Sequence, residues 1–387
     1  MITGSDRILT THVGSLPRNA VLTDLLIRRE SGETVDPAEL AAEMDRAVAF
    51  VVHQQADAGI DIGNDGEQQR VGFQTYIPQR MSGFGGESKR NRPMDYLDFP
   101  GFAETLPTRF PKRGRSFNAP QAVGEVRYLD DSAIKAEIAR FRRAADGAFT
   151  EAFMTAPSPG IVATTMLNAH YDSHEAHLAA LARELRTEYL AIHEAGLVLQ
   201  IDAPDLAMER TMFFQGMDEA AFLDACEQHV AALNAALEGI PADRVRLHCC
   251  WGNWEGPHNH DVPLDRVLPI LCQAAVGALS IEFANPRHAH EYDALARHGL
   301  PDRMVLLPGV IDSTSNFVEH PELVARRIEQ AVAAIGDRER VIASTDCGFG
   351  TFAGFEWVAS DVVWAKLRTL GEGARTASNR LWGRVAA

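Results

Sequence analysis

Short apolar runs alternate with long helical patterns eight times along this chain, and that alternation constrains its fold more than any other feature. The runs cover residues 8–15, 60–66, 152–158, 197–202, 245–250, 279–284, 304–312 and 341–347. Each has strand length and is bounded by polar or glycine residues. Helix start signals lie between them. Asp36-Pro37-Ala38-Glu39 offers a cap, a proline for the first turn and an acid at the third position; Asp218 and His320-Pro321-Glu322 open two further segments. Eight strand–helix units predict an α/β protein with a (β/α)8 TIM barrel. The alternative, a doubly wound open sheet, lacks its usual Gly-rich turn after the first strand. A length of 387 residues suits one barrel domain over 1–387.

Composition narrows the partners. The net charge of −16 argues against nucleic acid or an anionic membrane, because both require a basic footprint. No apolar run reaches membrane-span length, and the N-terminus lacks the features of a signal peptide. Five cysteines without framework spacing suit a reducing cytoplasm. The exception to the acidic balance is 82–120, between the second and third strands. It is rich in Gly, Pro and Arg and carries Lys89, Arg90, Arg92, Arg109, Lys112, Arg113 and Arg115. A long inserted loop of this kind reads as a cationic, lid-like cover over an anionic substrate, or equally as a solvated loop or a contact in a homo-oligomer.

In a barrel the active site forms at the C-terminal ends of the strands. The polar residues fall there: Ser15, Glu67, Asp202, His248, Cys250, Glu282, Asp312 and Cys347. His248-Cys249-Cys250 closes the fifth strand, so alternation turns His248 and Cys250 to one side and Cys249 to the other. An imidazole and a thiol at that spacing form half of a tetrahedral zinc site, and Cys347, before Gly348, can add a third ligand. The competing interpretation makes the cysteines small buried hydrophobes. Structural zinc sites usually draw four ligands from nearby sequence, whereas these come from distant strands. A working site is therefore favoured over a zinc-stabilised binding protein, and the two thiols disfavour a metal hydrolase. His258 and His260 belong to a loop and suit a pocket wall better than a ligand pair. His288 and His290 fit a helix start, and Cys226, Cys249 and Cys272 fit packing positions.

At these residues the chain resembles the cobalamin-independent methionine synthase family, specifically its zinc-bearing C-terminal barrel. The resemblance rests on Thr10-Thr11-His12-Val13-Gly14-Ser15-Leu16-Pro17, Gly66-Glu67-Gln68-Gln69-Arg70, Ile201-Asp202-Ala203-Pro204, His248-Cys249-Cys250, Glu282 and Asp346-Cys347-Gly348. It implies a transferase that moves an alkyl group onto the sulfur of a small thiol such as homocysteine. Zinc would be held by His248, Cys250, Cys347 and a displaceable Glu282. Ser15 would hold the substrate carboxylate, and Glu67 and Asp202 its ammonium. The donor half departs from the family. Met166, Leu167 and Asn168 stand where a stacking Trp is expected, and Thr314 replaces a His that protonates the folate leaving group. Epoxyalkane:coenzyme M transferases are similar single-barrel zinc proteins, so folate, a corrinoid or an epoxide are all candidate alkyl donors.

Overall fold

The computed structural model describes residues 1–115 and 117–383. Its ten strands are β1 (Leu9–Thr10), β2 (Ile62–Gly63), β3 (Met81–Gly85), β4 (Gln121–Tyr128), β5 (Glu151–Pro157), β6 (Val198–Asp202), β7 (Val245–Cys249), β8 (Ala278–Ile281), β9 (Val305–Ile311) and β10 (Ile342–Thr345). Eight of them form one sheet in the order β1-β10-β9-β8-β7-β6-β5-β2, with every pair parallel. A parallel bridge between Thr11 and Ile62 brings β1 against β2. The fold is a (β/α)8 barrel, as the alternation predicts.

Alternation along the strands decides what fills it. Leu9, Ile62, Phe153, Val198, Ala278, Leu307 and Ile342 pack together as an interior layer, while Val245, Leu247 and Cys249 of β7 join the larger core under the surrounding helices. The buried Arg246 points inward. It donates through Nε to Gln200 Oε1 at 2.7 Å, and through its two terminal nitrogens to Thr11 Oγ1 at 2.9 Å and the His12 carbonyl at 2.8 Å. Its guanidinium lies 3.4 Å from the centre of the Phe153 ring. A buried cation needs such satisfaction, and here it ties β1, β5, β6 and β7 together just below the strand ends. The expected helix starts are real caps: Asp36 accepts from Ala38 N–H, Asp218 from Ala221 N–H and the His320 ring from Glu322 N–H.

The inserted segment is more ordered than a loop. β3 and β4 form an antiparallel hairpin, and between them lie short helices at Met94–Asp98, Pro100–Ala103 and Leu106–Arg109. β3 reads Met-Ser-Gly-Phe-Gly, and its glycines carry little strand propensity. Pairing with the half-buried β4 supplies what the local sequence lacks. No helix among the described residues is long and apolar enough to cross a membrane.

Candidate metal centre

β7 carries His248 on the same inward side as Arg246, and Cys250 follows on that side, while Cys249 is buried in the outer core. Two residues beyond β10, Cys347 enters the same space. Its Sγ lies 3.6 Å from His248 Nε2 and 4.0 Å from Cys250 Sγ. The three donor atoms all lie within 4.8 Å of one another and are buried. Tetrahedral zinc with Zn–S of about 2.3 Å and Zn–N of about 2.0–2.1 Å separates its ligands by about 3.8 Å (S to S) and about 3.6 Å (S to N). The observed spacing therefore fits zinc, and so does the softness of the donors.

The electrostatics point the same way. The hydrogen bond from Cys347, helped by the nearby His248 charge, holds the Cys250 thiol well below its ordinary range. The same hydrogen bond and burial push Cys347 well up. Against burial, the Cys250 charge raises His248. One thiol is thus disposed to be a thiolate, the protonation state a metal ligand needs.

Glu282 lies just past β8 but outside that three-donor cluster. Its Oε1 accepts from Trp251 N–H at 3.1 Å and its Oε2 from Asn285 Nδ2 at 2.7 Å. Burial, then the charges of Cys250 and Asp346, push its carboxyl well up.

Ser15, Glu67, Asp202, His248, Cys250 and Cys347 all line a single cavity of about 120 Å³. Ser15 Oγ accepts from Gly350 N–H at 3.3 Å. It approaches the Cys347 loop so closely that a Cβ at Gly348 would stand 2.0 Å from it. Glu67 adopts a left-handed backbone (φ 52°), uncommon for a non-glycine residue. Surrounding bonds hold it there: Asp65 accepts its N–H at 3.0 Å and Arg18 donates to its carbonyl at 2.7 Å. Thr155 Oγ1 donates to Glu67 Oε1 at 3.0 Å, and Arg70 in turn donates to the Thr155 carbonyl at 2.8 Å. Glu67 Oε2 is buried with no hydrogen-bond partner. Asp202 pairs in register with His248 and accepts from Gln200 Nε2 at 2.7 Å. Burial, and then the Glu67 charge, push the Asp202 carboxyl up to about 8. Among the described residues neither acid has an ion-pair partner; Arg70 is engaged with Glu137 and Glu188 instead.

The inserted segment supplies Arg90, Pro93, Tyr96 and Phe117 to the cavity wall. Three of its basic side chains are engaged within the protein. Arg90 is ion-paired with the buried Glu209, Arg109 pairs with Glu255, and Arg113 lies over the Phe355 ring. Thr314 donates through N–H and hydroxyl to Asp312 at 2.9 and 2.8 Å. Met166 is buried, and Asn168 bonds Tyr171 and Ser173. The loop histidines are occupied as well: His258 bonds Asp261 and the Trp254 carbonyl, and His260 bonds Asp98.

Several residues matter that single positions in the sequence did not announce. Asn253 donates to the Gly348 carbonyl and to Thr351 Oγ1, both at 2.6 Å, and accepts from Ser313 at 3.1 Å. Asp346 accepts from the backbone N–H groups of Phe283, Ala284 and Asn285 at 2.9, 2.8 and 2.8 Å. These bonds join the loops after β7, β8, β9 and β10. The signal for them was adjacency alone: Asp346 precedes Cys347, and Asn253 lies three residues past Cys250.

A family model described as the cobalamin-independent synthase catalytic domain matches residues 101–366. The chain is 25% identical to 2-hydroxypropyl-CoM lyase from Xanthobacter autotrophicus, covering 97% of this chain and 96% of the relative. It is 24% identical to methionine synthase from Sulfurisphaera tokodaii, covering 88% and 85%. A solved B12-independent methionine synthase from Shewanella sp. W3-18-1 superposes with a TM-score of 0.72 at 21% identity, covering 97% of this chain and 99% of that one.

Proposed function

The chain belongs to the cobalamin-independent synthase family, and from that premise we propose that it is a zinc-dependent S-alkyltransferase whose acceptor is homocysteine or a similar small thiol bearing an ammonium group. One observation carries this reading: the soft three-donor cluster opens into the same cavity as two buried carboxyls without ion-pair partners. His248, Cys250 and Cys347 would hold the metal. Zinc there would favour the thiolate form of an incoming thiol while leaving its sulfur nucleophilic. Glu282 is the exchangeable fourth donor in this reading, and Asn285 must release it first.

The remaining residues bind and orient. Two buried carboxyls, of which Glu67 raises the pKa of Asp202, are relieved by a cation between or near them, and the substrate ammonium supplies it. Glu67 Oε2 gains the hydrogen bond it lacks among the described residues. Ser15 accepts from Gly350 N–H, so its hydroxyl proton remains available to the substrate carboxylate. Asn253 and Asp346 keep the strand-end loops in place around the sulfur.

A second reading, the opening of an epoxide by coenzyme M, is favoured by the similarity to 2-hydroxypropyl-CoM lyase. A sulfonate needs a cation, however, and the guanidinium in the cavity wall is already paired with Glu209. Metal analysis followed by a thiol screen tests the choice, with homocysteine set against coenzyme M and methyl donors against epoxides. Turnover with homocysteine supports the first reading. Turnover confined to coenzyme M overturns it.

A further inference from the structure

The cavity walls bear on the alkyl donor. Six aromatic side chains line the space: Phe73, Tyr96, Phe117, Trp254, Phe352 and Phe355. Several are braced edge-to-face, Tyr96 against Trp254 with ring centres 5.4 Å apart and Phe73 against Phe352 at 5.8 Å. The charged groups sharing this wall are predominantly acids and thiols. Among the described lining residues the guanidinium is that of Arg90, engaged by Glu209. Along the lining a polyanion would meet two carboxyls and six rings, with Arg113 over the Phe355 ring and Arg90 paired with Glu209. Aromatic faces in an acidic surrounding instead suit a compact cation.

The leaving group bears on the choice as well. A neutral amine or alkoxide precursor needs a proton as it departs. At the end of β9, Thr314 has both its N–H and its hydroxyl committed to Asp312. A donor that leaves already neutral needs no proton from Thr314.

Resting on the alkyltransferase reading above, we propose that the alkyl donor is a small onium compound, a methylsulfonium or a quaternary methylammonium, held against the aromatic wall. The thiol proton is lost to solvent as the acceptor becomes a thiolate. A sulfur lone pair then forms the new S–C bond while the C–S⁺ or C–N⁺ bond breaks. The electron pair stays on the departing atom, which leaves as a neutral thioether or tertiary amine.

The test uses the zinc-loaded full chain and compares the binding of tetramethylammonium with that of tert-butyl alcohol, a neutral probe of similar size. The onium should bind about ten-fold tighter, within the range that cation–π contacts supply. Trp254→Leu and Phe352→Leu should each bring the ratio towards one, while Trp254→Phe retains most of it; zinc content checks that each variant is folded. S-methylmethionine should pass its methyl group to homocysteine. Equal binding of the two probes by the wild type, or a ratio that none of the variants moves, would overturn the inference. If the preference fails while homocysteine still adds a sulfur to the zinc shell, only this inference falls. If the preference holds but no thiol reaches the metal, the aromatic cation site stands and the transfer reading beneath it falls.

Discussion

Cys250 and Cys347 are ninety-seven residues apart in the chain, yet their sulfurs lie 4.0 Å from each other at the ends of β7 and β10. In the sheet these strands are separated by β8 and β9, so only barrel curvature brings the two together. Cys249, one position from Cys250, faces the outer core. Cys250→Ser and Cys347→Ser should therefore each lose zinc and activity, and Cys249→Ser should keep both. Metal content of the three purified variants checks this. Zinc lost from Cys249→Ser but kept by Cys250→Ser would reverse the assignment.

Glu67 and Asp202 separate the candidate thiols. An ammonium bonded to ionised carboxylates gains roughly 1.5–3 kcal/mol per charged hydrogen bond. Above about pH 8, where the Asp202 carboxyl is ionised, Asp202→Asn should weaken homocysteine binding by about ten-fold or more and leave coenzyme M unharmed or improved, since a repulsive charge is removed. Titration calorimetry on both proteins measures it.

Gly348 permits a close approach that no larger residue allows. A Cβ there would lie 2.0 Å from Ser15 Oγ, and the loop also carries Cys347. Gly348→Ala should cost about 1–3 kcal/mol of stability through overpacking and raise the KM for the thiol. Denaturant unfolding and steady-state kinetics report the two effects separately.

His288 sets a pH dependence of stability just behind the metal centre, packed on Trp251, whose N–H holds Glu282. Its Nδ1 bonds Glu291 at 2.8 Å and its Nε2 bonds Asp261 at 3.0 Å, while the ring stacks on Trp251 at 4.0 Å. Burial opposes the charge, but these acids hold the imidazolium up to about 9. The folded pKa lies above the unfolded value of about 6.5. The contribution is thus fully present below about pH 6.5 and is lost as pH rises through about 9, for roughly 3 kcal/mol in all. His288→Gln should flatten that slope in urea unfolding followed from pH 6 to 9.5. An unchanged slope would mean that His288 is neutral in the fold.

The barrel was legible because its signal repeats: eight apolar runs alternate with helical ones, and each falls on an observed strand. The boundaries were less so. The first run, 8–15, holds a strand of only Leu9–Thr10, because Gly14 and Ser15 belong to the site rather than the ladder. Strand parity separated Cys249 from Cys250 correctly, since alternation depends only on the backbone. The hairpin of β3 and β4, which brackets 82–120, was hidden by glycines whose pairing partner lies some forty residues away (Ser82 opposite Arg127). The basic character of that segment did not reveal how its cations are engaged. Charge counts do not show that Arg90 meets Glu209 or that Arg109 meets Glu255. Glu282 was placed at the right strand end, but its engagement with Trp251 and Asn285 is a tertiary relation that one position cannot display.

The central claim is that a small thiol binds through its sulfur to zinc held by His248, Cys250 and Cys347. Zinc-edge X-ray absorption with and without saturating homocysteine tests it most directly. Two sulfur scatterers and one imidazole without substrate, rising to three sulfurs with it, is the expected result. A sulfur count that stays at two while the enzyme turns over would contradict the account.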